Sequence, residues 1–540
     1  MRRVLGLLAL AALPVAVLAV FFVLPVSGMV GRGLWGDGGF APGQVLEVLG
    51  RPRVHRVVWF TVWTSSVATA AAVALGLPAA YALHRLALPA RRLVRAALMV
   101  PFVLPTVVVG VAFRELLGES GPLAGLGLDG TPWAILAGLL FFNVAVVIRT
   151  VGAAWEALDP RPAEAAAALG AGPWRVLATV TLPALRPAVV SSASVVFLFC
   201  ATAFGVVLTL GGVRYASVET EIYLLTTTLY DLPAAAALSL LQLLVVTALL
   251  AVSARLRATP DATVARSVPR PTRVGARDLP AVGVTLLLLA YVAAPILTLV
   301  LGSLQTPDGW GLGNYRALGS TGEGSALLVP ASTALVTSLR TAVDATWMAL
   351  LLGVLVSVIV TRRSHGRAER RLRALLDGFF MLPLGVSAVT LGFGFLLTLG
   401  HLRSSPVLVP IAQALVALPL VVRTLTPVLG GIDDRQRQAA GSLGAGPLRT
   451  LLVVDLPVVW KPLLAAAGLC FAVSLGEFGA TSFLARSDAP TLPVVIFRLL
   501  GEPGALNYGM ALAASVVLAA ATTVVMLLVE RLRVPSTGAF

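Results

Sequence analysis

Charge is scarce in this chain. Only 12% of its 540 residues are Asp, Glu, Lys or Arg, about half the roughly 25% of a soluble domain. By contrast 58% are hydrophobic, and the mean hydropathy is +0.93. This excludes a soluble globular protein and fits an all-α protein that crosses a membrane many times. Lysine is nearly missing: Lys461 is the only one, and Pro462 follows it. A Gly-x-x-x-x-Gly-Lys-Ser/Thr loop therefore cannot be written anywhere, and ATP hydrolysis by a P-loop goes with it. The two cysteines, Cys200 and Cys470, lie far apart in apolar stretches, which argues against a disulfide scaffold or a thiolate metal centre. His55, His84, His365 and His401 form no ligand-spaced pair, and no Ser-His-Asp or Cys-His arrangement stands out. No catalytic residue, metal or cofactor is expected. The formal net charge of +15 does not point to nucleic acid either. Its arginines fall between apolar runs, not along one face or tail, and read as topology signals.

What is present is a series of apolar runs long enough to cross a bilayer. The first, 4–26, follows Met1-Arg-Arg. It exceeds the apolar core of a signal peptide and no clear small-x-small cleavage site follows, so it reads as a retained span. Others fall near 57–83, 93–117, 132–152, 187–212 and 236–256. A second set lies near 279–301, 331–360, 374–400, 406–427, 461–485 and 508–530. About twelve spans result, six per half. With the N-terminus inside, the inside loops collect arginine: Arg85, Arg91 and Arg92; Arg257, Arg266, Arg270, Arg273 and Arg277; Arg362, Arg363, Arg367, Arg370, Arg371 and Arg373. The outside loops near 118–131 and 401–405 hold almost none, and 213–235 is acidic through Glu219, Glu221 and Asp231. One outside segment, 27–56, breaks the rule with Arg32, Arg51, Arg53 and Arg56. Both termini are expected on the cytoplasmic side of the membrane.

Two polar interruptions organise the chain. Glu164–Pro183 reads EAAAALGAGPWRVLATVTLP, and Gln438–Pro457 reads QAAGSLGAGPLRTLLVVDLP. Each is a small-residue helix start, a Leu-Gly-Ala-Gly-Pro break, a second short helix and a Leu-Pro stop. Glycine supplies positive φ and proline cannot continue a helix, so each segment should turn sharply. The flanks match as well: Arg149 corresponds to Arg423, and Phe204-Gly205 to Phe478-Gly479, at equal distances from the two motifs. Pro101 parallels Pro383 with a small shift. The chain therefore divides into a first half, 1–256, a Pro- and Arg-rich flexible linker, 257–278, and a second half, 279–540. An even number of spans separates the copies, so the two six-helix repeats are parallel, unlike the inverted repeats of many secondary transporters.

The paired segments resemble the EAA loop of ABC importer permeases, the cytoplasmic coupling helix that seats in a groove of the ATPase subunit. Glu164, Ala165, Ala166, Gly170, Val180, Leu182 and Pro183 meet the family form, with Val in place of Ile. The second copy keeps Ala439, Ala440, Gly444, Val454, Leu456 and Pro457 but has Gln438 in place of the acid, which removes any salt link from that position. The resemblance implies a type I importer-like permease of the bacterial plasma membrane that is not itself an enzyme. It would be partnered by an ATPase homodimer and an extracytoplasmic substrate-binding protein, and would move a small-molecule substrate. Its docking residues would be Glu164, Ala165, Ala166, Gly170, Arg175, Gln438, Ala439, Ala440, Gly444 and Arg449. Arg175 and Arg449 either pair with acidic groups of the ATPase or serve only as topology signals.

Fused chains with two such loops resemble the thiamine importer permeases and the related ferric-iron importer permeases, over nearly the whole length. The runs FCATAFGVVLTLGG, ETEIY (Glu219–Tyr223) and SLGEFGATSF sit closer to the thiamine type, although both types share the acidic-Phe-Gly element. The resemblance thus implies import of thiamine or its phosphates, with ferric iron as the alternative. A secondary transporter is the reading from another class, and the parallel repeats argue against it. Ionisable groups inside spans are costly in lipid and are functional candidates. Asp344 in the eighth span and Glu477 in the eleventh are the candidates for the translocation path, facing either the solute or an internal polar contact. The mid-span amides Asn143 and Gln242 are expected to join helices.

Overall fold

A computed structural model describes residues 2–532 apart from 37–38, 213, 258–271, 308 and 363–365. The chain is helical almost throughout. In the first half the main helices are α1 (Leu7–Leu34), α2 (Pro52–Arg85), α3 (Arg91–Met99), α4 (Thr106–Leu117), α5 (Pro132–Ala157), α6 (Arg161–Ala168), α7 (Pro173–Val176), α8 (Leu182–Ala201), α9 (Gly205–Gly211), α10 (Val218–Thr227) and α11 (Leu232–Arg257). The second half repeats the order with α12 (Leu279–Leu304), α13 (Ala331–Thr361), α14 (Arg367–Phe380), α15 (Ala388–Leu399), α16 (Leu408–Gly430), α17 (Asp434–Ser442), α18 (Pro447–Thr450), α19 (Leu456–Leu475), α20 (Thr481–Leu484), α21 (Leu492–Gly501) and α22 (Ala505–Leu532).

Among the described residues, ten helices are long and apolar enough to cross a bilayer as single rods. The expected spans at 93–117 and 374–400 are broken instead. α3 and α4 meet at 103° across Pro101 and Pro105, and α14 and α15 are separated by a turn at Leu382–Gly385 that holds Pro383. A ring that lacks N–H and clashes with the carbonyl four residues back ends a helix at such points. Counting the α3–α4 pair as one span gives eleven candidates among the described residues, with α15 a shorter apolar helix, against the expectation of about twelve. Two hairpins also repeat. β1 (Trp35–Gly36) pairs antiparallel with β2 (Gly39–Phe40) after α1, and β3 (Gln305–Thr306) pairs with β4 (Gly309–Trp310) after α12.

The described chain forms two compact units, and they are not the two sequence halves. One takes in Met1–Val48, Ile222–Leu243 and Ser303–Ala539; the other takes in Leu49–Glu221 and Leu244–Gly302. Each unit is built round the same helical triad, α2, α5 and α8 in one and α13, α16 and α19 in the other. A glycine sits at the equivalent crossing in both. A Cβ placed on Gly76 would lie 2.8 Å from the Val147 Cβ, and one on Gly353 would lie 2.7 Å from the Val421 Cβ. With no hydrophobic drive between helices in lipid, such small-residue contacts let the backbones approach and pack. The first helix of each half packs in the unit built mainly by the other half. Phe21 of α1 lies 6.2 Å from Phe395 of α15, and Tyr291 of α12 lies 6.0 Å from Phe113 of α4.

Most of the expected flexible linker, 258–271, lies outside the described residues. Its last residues are held in place: Thr272 bridges to Leu86, its N–H donates to the Arg85 carbonyl (2.9 Å), and Tyr81 donates to Asp278 (2.9 Å).

Candidate functional site

The two segments expected to dock, 164–183 and 438–457, have one backbone design. Asp159 accepts from the Arg161 N–H at 3.0 Å and Asp433 from the Arg435 N–H at 3.0 Å, so an Asp opens each first helix, α6 and α17. Both helices end in the six-to-one hydrogen bond of a Schellman cap. The Ala171 N–H reaches the Ala166 carbonyl at 3.1 Å, and the Ala445 N–H reaches the Ala440 carbonyl at 3.0 Å. That closure needs a left-handed residue, supplied by Gly170 (φ +87°) and Gly444 (φ +82°). Pro173 and Pro447 then occupy the first position of α7 and α18, where the missing N–H costs nothing. A five-residue π turn follows in each, Leu177–Thr181 and Leu451–Asp455. Pro183 and Pro457 lie just beyond, and a proline ring displaces the carbonyl four residues back, which a wider turn relieves.

Glu164, Ala165, Gly170, Arg175, Gln438, Ala439, Gly444 and Arg449 are exposed, while Ala166 and Ala440 are half-buried beneath them. Arg175 and Arg449 have no acidic partner among the described residues. The geometry adds residues that the motif did not single out. Leu169 and Leu443, each just before its glycine, are 89% and 87% exposed, and Trp174 is 78% exposed. Matched leucines are thus held out at the crest of both turns. Their signal in the sequence was an apolar residue placed between a small-residue helix and a glycine stop.

The two copies differ beneath that surface. Asp455, fully buried at the end of the second π turn, accepts from Arg437 at 2.8 Å and from Arg362 at 2.5 Å. Arg437 also reaches Asp434 (2.9 Å) and the Leu429 carbonyl (2.9 Å). Burial works against the charge of the Arg437 guanidinium, yet the hydrogen bonds and attraction of Asp455 and Asp434 together hold its pKa above the ordinary value. In the first copy Thr181 stands where Asp455 does, and no ion pair ties 159–181 to the neighbouring helices among the described residues.

The candidates for the path fall in contrasting places. Asp344 is exposed on α13, with the indole N–H of Trp347 3.3 Å from its carboxylate. Glu477 is buried, and its carboxylate accepts from the backbone N–H of Ala480 (2.7 Å) and Thr481 (3.0 Å) and from the Thr481 hydroxyl. It serves as the internal polar contact that starts α20. The expected acidic outer loop is not an acidic surface: Glu219 is 0% and Glu221 1% exposed. The segment folds into α10, opened by Ser217 and Thr220, and Glu221 is gripped by Arg53 at 2.5 and 2.9 Å. Arg53, an exception to the arginine bias, is there to neutralise a buried carboxylate. Asn143 joins helices as expected, donating to Cys200 of α8 at 3.3 Å.

Two repeats of one helical plan, each carrying a glycine-capped segment with an apolar crest, define a multi-pass membrane transport component made by internal duplication. The chain belongs to the family described as the binding-protein-dependent transport system inner membrane component, whose pattern matches residues 72–258 and 349–533. Both segments, 164–183 and 438–457, lie within the matched stretches. The chain is thus the membrane permease of an ABC importer, with two permease halves fused. It is similar to the thiamine transport system permease protein of Brucella abortus (strain 2308), 26% identical over 486 residues covering 86% of this chain and 85% of that protein. The thiamine transport system permease protein of Escherichia coli (strain K12) is 28% identical over 468 residues, 83% of each. A probable ABC transporter permease protein of Sinorhizobium fredii (strain NBRC 101917 / NGR234) is 27% identical over 513 residues, 88% of this chain and 87% of that one.

Proposed function

We propose that this permease imports thiamine or a phosphorylated relative, taking it from an extracytoplasmic binding protein and coupling its passage to ATP hydrolysis by a separate ATPase dimer. The observation that carries the coupling is the pair of exposed, Schellman-capped turns with matched crests at Leu169 and Leu443. Two equal knobs suit two equal grooves. Closure of the ATPase pair on ATP would draw the knobs together, and the packed helices behind them would follow as nearly rigid bodies. Ala165, Ala166, Ala439 and Ala440 allow close approach, Glu164 and Gln438 rim the contact, and Arg175 and Arg449 offer charge to acidic groups. Both termini and both knobs lie on the cytoplasmic side in this reading.

The thiamine assignment rests on the thiamine permeases that resemble the chain over more than four-fifths of its length. Asp344 suits it: an exposed carboxylate in a span belongs beside water, not lipid, and favours a cationic heterocycle. Glu477 contributes by fixing the start of α20 and does not touch the solute. The decisive experiment reconstitutes permease and ATPase in liposomes and adds the binding protein loaded with thiamine or with ferric iron. Stimulation of ATP hydrolysis by the thiamine form alone is expected. Stimulation by the iron form alone would overturn the substrate and leave the permease assignment standing.

A further inference from the structure

The knot at Asp455 sets the second docking segment apart from the first. Four attachments converge there: Arg362 ends α13, Leu429 lies in the last turn of α16, Asp434 and Arg437 lie in α17, and Asp455 leads into α19. The ends of α13 and α19 are thus fastened to α17 through the Asp455 carboxylate, and the end of α16 through the Arg437 guanidinium. Asp455 and Arg437 are almost wholly enclosed, with side chains 0% and 9% exposed, so water does not screen the attraction. At the corresponding places the first copy has Thr181 for Asp455, Ala163 for Arg437 and Pro160 for Asp434, and Arg85, the last residue of α2, makes no ion pair among the described residues. Its charged cluster lies elsewhere: Glu156 takes Arg95 (2.7 Å) and His84 (2.9 Å), and none of these belongs to the docking segment.

We infer that Asp455 is a positioning residue that makes the second docking segment a rigid extension of α13, α16 and α19, whereas the first segment moves more freely on its spans. An ATPase homodimer would then push on two unlike levers. The second would pass displacement to the membrane directly, and the first would yield before its spans follow. This inference rests on the docking role proposed above, but the stiffness itself is a property of the permease alone.

The test follows both levels. With Cys200 and Cys470 replaced by alanine, spin labels are placed at matched pairs, Leu443 with Leu464 and Leu169 with Val190, and the distance distributions are measured by pulsed dipolar spectroscopy in liposomes. The second pair should give the narrower distribution, and Asp455→Asn should broaden it while Thr181→Val leaves the first unchanged. Equal widths in the parent, or no broadening in Asp455→Asn, overturns the inference. If Asp455→Asn fails to insert because it strands Arg437, Arg362→Gln loosens the same knot from its more exposed side, 28% accessible, and must broaden the distribution in the same way. Joined to its ATPase, Asp455→Asn should still co-purify and hydrolyse ATP, but thiamine moved per ATP should fall by at least about fivefold, the low end of ordinary coupling effects. Unchanged thiamine per ATP in a variant with retained ATPase also overturns the inference. Failure of the parent permease to hold its ATPase would strike the docking reading instead and leave the spin-label result intact.

Discussion

Gly170 and Gly444 allow the sharpest test of how the docking turns are made. Their φ values of +87° and +82° lie in the left-handed region, where an L residue with a Cβ loses roughly 1–2 kcal/mol. A Cβ on either glycine would meet no atom within 4 Å, so packing adds nothing and the whole cost is in the backbone. Side-chain volume should therefore be irrelevant, and tolerance of positive φ should decide the order. Asn, which hydrogen-bonds locally and visits this region, should be milder than the smaller Ala, and Val should be worst. A loss of 1–2 kcal/mol multiplies the opened population by about 5–30. The reporters are the amides of Ala171 and Ala445, whose hydrogen bonds to Ala166 and Ala440 close the caps. In hydrogen–deuterium exchange of the purified permease, Gly170→Ala should speed exchange at Ala171 by that factor and leave Ala445 alone, with Gly444→Ala doing the converse. Exchange that is unchanged in the alanine variants, or that rises with side-chain size so that Asn exceeds Ala, would refute the reasoning.

Leu169→Asp together with Leu443→Asp should abolish co-purification of the ATPase while the protein still inserts and elutes as a monodisperse species, because only exposed atoms are changed. Gly353→Leu should lower the melting temperature in detergent, since it forces the α13–α16 crossing apart at Val421; overpacking of this kind costs about 1–3 kcal/mol. Asp344→Asn should reduce thiamine uptake in liposomes with little change in melting temperature. Glu477→Gln should do the opposite, lowering thermal stability first, because its carboxylate satisfies two backbone amides and a hydroxyl at the start of α20.

The fold was legible in the sequence wherever a physical rule acts locally. Apolar run length placed the spans, and Leu-Gly-Ala-Gly-Pro placed both turns, because a left-handed glycine followed by a proline leaves the backbone few choices. The prolines in MVPFVLP and FMLPLGV were visible as a parallel, but run length alone read each region as one span. Local rules could not say which helices pack together. That Phe395 meets Phe21, some 370 positions away in the chain, and that Tyr291 meets Phe113, depends on side chains matched between distant stretches of sequence within one unit and leaves no periodic trace.

The site was legible in part: the glycines, alanine pairs and arginines that both copies share were read, the shared Leu169 and Leu443 stood out only by their exposure in the fold, and what only one copy has was not read. Gly170 and Gly444, the alanine pairs and the two arginines repeat at one spacing, so comparing the copies found them. Asp455 escaped because its copy-mate is Thr181, and Arg437 because its copy-mate is Ala163; neither forms a repeat. Yet a buried carboxylate that gathers two guanidiniums is the more demanding arrangement, since removing one partner leaves an uncompensated charge inside the protein. Glu221 teaches the same lesson in the other half. It reads as an acid on an outer loop until Arg53, itself out of place by the arginine bias, is seen to account for it. In a chain this poor in charge, an ionisable residue that departs from the topology pattern or from its repeat marks a designed contact. Asp455, Arg437, Glu221 and Arg53 are all of that kind, and all four are paired.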